Sequence, residues 1–150
     1  PLHWDGQSVA GHLSGKKCGG RDHLVLSQGA CSCQRSVRWG DYLYLRTWHD
    51  GFHAHWNEEM MFDITQDPHE QKDLFSSQPE KVVEGKELLQ TWTEEQLDRS
   101  YSSTDPMEVV LEEGGPFHVR GHLSNYLERL EKTGRSRWAE ILRERHGVGK

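Results

Sequence analysis

The run from Arg35 to Trp48, RSVRWGDYLYLRTW, constrains this chain more than any other stretch. Two segments rich in β-branched and aromatic residues, 34–39 and 42–48, flank Gly40-Asp41. A glycine that accepts positive φ makes that pair a two-residue hairpin turn. In the second strand Leu43 and Leu45 fall on one face, and Tyr42, Tyr44 and Trp48 on the other. Both faces of the hairpin therefore need cover.

Further strands are expected at 23–28 (HLVLSQ) and 60–65, where Met60, Phe62 and Ile64 alternate with Met61, Asp63 and Thr65. Pro68 has no N–H for a ladder, so Asp67-Pro68 ends the last strand. Asp67 is placed to cap a short helical turn, with Pro68 at its first position and Glu70 at its third. From Pro79 to about Leu97 the apolar spacing becomes helical. Val82, Leu89 and Trp92 form a stripe that Val83 and Leu88 widen. This helix is expected to cross the sheet with its stripe facing Leu43, Leu45, Phe62 or Ile64. Residues 98–121 read as an irregular connector holding a short apolar piece, Met107 to Leu111. Two short helices follow, one presenting Leu123, Leu127 and Leu130, the other Trp138, Ile141 and Leu142 beyond a break at Gly134.

The fold class is thus α+β: an antiparallel sheet of about four strands packed on a helix, with a C-terminal helical extension. The expected organisation is an irregular linker over 1–22, a sheet-plus-helix unit over 23–98 and a loop and short-helix extension over 99–150. At 150 residues the chain suits one domain. Its net charge of −6 argues against nucleic acid as a partner, because phosphate binding needs a basic face. No apolar run is long enough to span a bilayer. The chain opens at Pro1 without Met, and reads as the middle of a longer protein.

Cys31 and Cys33 with His49, His53 and His55 suggest a mixed zinc site, but Cys-x-Cys misses the usual ligand spacing. Cys18, Cys31 and Cys33 read better as free thiols, with Cys31 and Cys33 on one side of a strand. In CSCQR, Arg35 follows Cys31 by four residues, as in motifs where a cysteine is modified or attacks. The segment reads as strand, without the helix N-terminus that would stabilise a developing anion. His118 and His122 form a second loop cluster, read as solvated. Arg and Lys after residue 128 are interleaved with Glu, which describes a solvated helix face.

The order of segments carries a further signal. HWDGQSVAGHL, RDHLVLSQGA, RSVRWGDYLYLRTWHDGFH and MMFDITQDPHEQKDL, followed by a helix, resemble the C-terminal part of a sulfatase, a member of the alkaline phosphatase superfamily. The likeness covers most of residues 3–98, and the tail from 99 is similar to extensions in some bacterial members. It implies a small antiparallel subdomain docked on a large α/β catalytic domain, which here would be the missing partner. The parent would use a formylglycine made from Cys in C-x-[PA]-x-R and a Ca2+ or similar divalent ion. None of those motifs occurs here, so the implied expectation is no catalytic residue, metal ligand or cofactor in this chain, and no turnover by it alone. The implied contact with substrate is the rim of the parent's pocket, with Trp48, His49, Asp50, His53 and His55 as candidates. An interaction module that self-associates through exposed sheet or helix surface is the competing class. A phosphodiester or phosphonate hydrolase of the same superfamily is the third reading.

Overall fold

The computed structural model describes residues 6–16 and 19–148. Cys18, and His3, Trp4 and Asp5 of the first segment quoted above, lie outside the described residues. A single helical turn, α1 (Ala10–Leu13), precedes the sheet. Four strands follow, β1 (His23–Gln28), β2 (Cys33–Trp39), β3 (Tyr42–His49) and β4 (Glu59–Asp63). They pair antiparallel in the order β1-β2-β3-β4, each with its sequence neighbours. Gly40, with φ of +50°, closes the β2–β3 turn. The fold is α+β.

The register sorts side chains into rows across the sheet. Val25, Val37, Tyr44 and Met61 are cross-strand neighbours on one face; Leu26, Ser36, Leu45 and Met60 are neighbours on the other, beside Leu24, Arg38, Leu43 and Phe62. The long helix α2 (Pro79–Arg99) covers the first face, where Val82 and Leu89 join Val37, Trp39, Tyr44 and Met61 in one core. This corrects the expected partners: the α2 stripe meets the tyrosine face, and the Leu43 face carries a separate cluster with no helix residue in it. Alternation alone could not choose, because both faces are apolar. Gly85 decides it. A Cβ there would come within 2.5 Å of the Tyr44 Cβ and 2.8 Å of the Trp39 ring, so only glycine lets the helix seat this closely. Lys86 then reaches Glu59 at 2.9 Å, and Glu59 also accepts from Tyr44 at 3.0 Å.

Three local expectations change. Asp67 does not cap a helix: its carboxylate accepts from the Lys72 N–H at 2.7 Å, and Glu70 has a φ of +53°, which closes a turn instead. The apolar piece of the connector is a helix, α3 (Pro106–Glu112), capped by Asp105, whose side chain accepts from the Met107 N–H. Cys31 precedes β2 and is exposed while Cys33 is buried, so the two thiols do not share a strand face. A 3-10 turn (Phe117–Val119) leads to α4 (Leu123–Lys132) and α5 (Ser136–Arg145). These two helices pack through Leu127, Leu130, Ala139 and Leu142 onto Phe52 and Ala54 of the loop after β3. Ala139 and Leu142, not Trp138, are the buried residues of α5.

Candidate functional site

At the end of β3 the chain reverses through Asp50-Gly51-Phe52. Gly51 has a φ of +59°, and a Cβ there would lie 1.8 Å from the Cys31 carbonyl oxygen. Phe52 also sits in the left-handed region, with a φ of +72°. For a bulky residue that costs on the order of 1–3 kcal/mol, which the surroundings must outweigh. Here the Phe52 N–H donates to Asp50 Oδ1 at 2.9 Å, and its ring packs against Tyr126 and edge-on to His146.

Asp50 is the hub of this turn. Besides the Phe52 amide it meets His146 Nε2 at 3.0 Å and accepts from Arg145 at 3.3 Å. Burial would raise its pKa, but the bonds from Phe52, His146 and Arg145 prevail and hold it below the usual carboxylate value. The carboxylate is thus ionised at neutral pH. Its neighbour His49 accepts the Gly51 N–H on Nδ1 at 3.0 Å, which leaves Nε2 as the protonated nitrogen of the neutral ring. Burial, more than its charged neighbours, pushes its pKa down. The ring lies 5.5 Å from that of His146, and Gly115 passes so close that a Cβ would reach within 2.5 Å of it.

Trp48, His49, Asp50, Trp56, Glu58, Arg145 and His146 line a groove of about 460 Å³. The structure therefore brings Trp48, His49 and Asp50 together at one site and leaves His53 and His55 outside its lining. His53 instead lies tilted against the Trp56 ring, with centroids 4.2 Å apart, and His55 is edge-on to the same ring. Burial, and after it the nearby His55, lower the His53 pKa. Arg145 and His146 were missed by sequence reading. They lie nearly a hundred residues from Asp50 and look like the basic last turn of a solvated helix. Nothing local indicates which loop they dock on.

The remaining candidates fall elsewhere. Arg35 is buried in a two-pronged ion pair with Asp105, not set beside the exposed Cys31. His118 and His122 are exposed. Among the described residues no three His, Cys, Asp or Glu side chains gather closely enough to hold a metal ion. The groove is equipped to bind: flat indole surfaces, a ring N–H, a guanidinium and carboxylates converge on one volume.

No family model matches the chain, and no curated protein matches it. Among solved structures, that of the putative sulfatase yidJ from Bacteroides fragilis is similar, at 23% identity and a TM-score of 0.37, over 57% of this chain. The match spans 17% of that protein's length.

Proposed function

We propose that this chain is the small C-terminal subdomain of a sulfatase-type hydrolase, docked on a large catalytic domain through the helix-free face of its sheet. The groove at the end of β3 would form part of the rim of the parent's substrate pocket. The reading begins from the four ordered segments quoted above. One observation carries it further: on the sheet face opposite α2, Leu43, Met60 and Phe62 form a cluster that no helix covers, and Leu24 and Leu26 stand on β1 beyond Arg38 and Ser36. Its β1 edge is open, with Leu24 at 40% and Leu26 at 56% exposure. Two large aliphatic side chains exposed together on an open sheet edge are what a docked partner would cover. The formylglycine and divalent ion of such an enzyme would belong to the large domain, and so would the groups that choose between a sulfate and a phosphate ester.

The test is reconstitution. The full-length gene is expected to encode C-x-[PA]-x-R upstream of Pro1, and the large domain produced with this chain should co-purify with it. Changing Leu24 and Leu26 together to Asp should abolish co-purification while leaving the chain folded. A large domain that ignores the chain, or binds the double variant equally well, refutes the docking. Self-association lost in the same variant would favour the interaction module instead.

A further inference from the structure

A second concavity lies on the α2 side of the sheet, with a lining that shares no residue with the groove. Helix α3 leans on β2, and between it and the C-terminal half of α2 is a cleft of about 520 Å³. Its walls are Trp92 and Leu97 from α2, and Met107 and Val110 from α3; Gln28 and Gln96 stand among its lining as amide groups. Facing helices in a small domain usually close such a gap, because apolar walls left apart forgo both burial and dispersion contacts. Here a strut holds it open. Arg35, 7% exposed, donates to both Asp105 oxygens at 2.8 Å, to Ser27 at 2.9 Å and to Thr93 at 3.2 Å. Asp105 in turn caps α3 through the Met107 N–H at 2.9 Å. One guanidinium thus ties β1, α2 and the start of α3 at fixed separations.

The strut also sets the chemistry of the cleft. Its only deeply placed charges are Arg35 and Asp105, which neutralise each other with their hydrogen bonds mutually directed. Arg99, also in the lining, is 3.5 Å from Glu95. A charged ligand would find no uncompensated partner and would lose its hydration. An apolar body gains contact with Trp92, Met107 and Val110, and the thioether of Met107 favours an aromatic ring. The volume is that of a site for a small organic molecule.

From this we infer that the cleft between α2 and α3 binds an uncharged small molecule with a flat, aromatic body and hydrogen-bonding groups at its edge. The site is separate from the docking face and adjoins the β3 groove, since Arg35 lies between Trp92 of the cleft and Trp48 of the groove at 5.5 and 5.8 Å from the ring centroids; it needs only this chain.

Methionine methyl groups give a direct test, because the chain has three methionines in three environments. Met107 lines the cleft, Met61 sits in the core beneath α2, and Met60 lies in the opposite face. Titration with neutral N-phenylnaphthylamine should give saturable fluorescence and shift the Met107 methyl resonance while those of Met60 and Met61 stay in place. Val110→Trp, which fills the cleft, should weaken binding by about tenfold or more. Absence of saturable binding overturns the inference. So does a Met60 shift in place of Met107, which would locate the probe on the sheet face opposite α2, or a folded Val110→Trp chain that binds as tightly as the original. Should Val110→Trp fail to fold, the methyl shifts of the unaltered chain decide alone. Failure of the proposed docking would leave these readouts unchanged.

Discussion

At the scale of single residues, two buried carboxylates do most of the organising, and each makes a distinct prediction. Asp105 has its pKa held down first by the hydrogen bonds from Arg35 and secondarily by the Met107 amide, which together overcome the penalty of burial. Removing it leaves a buried guanidinium unpaired, which typically costs about 3–5 kcal/mol. Asp105→Ala should therefore lower stability by roughly that amount, whereas replacing Arg35 and Asp105 together by Met and Leu should recover much of it. Denaturant unfolding of the single and double variants measures the difference. Asp50 and His49 make the seat of the C-terminal helices sensitive to acid. Both have depressed folded-state pKa values, so the unfolded chain takes up protons first in each case. His49 contributes stability above its ordinary value of 6.5 and loses it as pH falls toward its lower folded value. Asp50 contributes above 3.8 and loses it as pH falls further, through its own depressed value. Amide exchange in α5 should accelerate in two steps on acidification, and Asp50→Asn should remove the lower one. Exchange that slows as the pH drops, after correction for its intrinsic rate, would contradict the assignment.

At the scale of elements, the meander was legible because period-two alternation and a Gly-Asp turn are local signals, and the structure places all four strands close to where those signals fall. Which face α2 would choose was not legible. Val37, Tyr44 and Met61 are about as apolar as Leu43, Met60 and Phe62, and the deciding feature is the absence of a side chain at Gly85. Glycine in mid-helix reads locally as a defect of about 1 kcal/mol. Its benefit appears only with Tyr44 and Trp39 beneath it. Gly85→Ala should consequently destabilise the chain by about 1–3 kcal/mol despite the better helix former, because the added methyl overpacks the seam. A stability gain on thermal unfolding would show that α2 does not sit this close. Asp105-Pro106 before an apolar run did carry a helix-start signal for α3, but one turn of apolar residues between glycine- and serine-rich stretches gave it too little weight. The candidate site was half legible. Trp48, His49 and Asp50 were visible as a chemically mixed loop, while Arg145 and His146 are joined to it only by tertiary packing.

At the scale of the whole molecule, the C-terminal helices turn a hairpin loop into a walled groove. Phe52 and Ala54 are buried in the α4–α5 core, and the last residues of α5 reach back to Asp50. If the chain serves as the rim of a larger enzyme's pocket, the groove should act on binding and not on bond cleavage, since substrate groups remote from the reacting centre supply uniform binding energy. The geometry separates residues that the sequence grouped together. Trp48 lines the groove and is 41% exposed, whereas His53 and His55 pack around Trp56 outside its lining. In the intact parent, Trp48→Ala should raise KM for a large natural ester by about tenfold, equivalent to roughly 1.4 kcal/mol, with kcat little changed. A small aryl sulfate, too short to reach the rim, should be turned over as before. His53→Ala with His55→Ala should have a weaker effect on the large ester, felt only through the position of Trp56. The informative comparison is the ratio of the two KM values in each variant. Equal changes on small and large substrates would mean that the loop only supports the domain seam, and a fall in kcat without a change in KM would place Trp48 nearer to the chemistry than a rim allows.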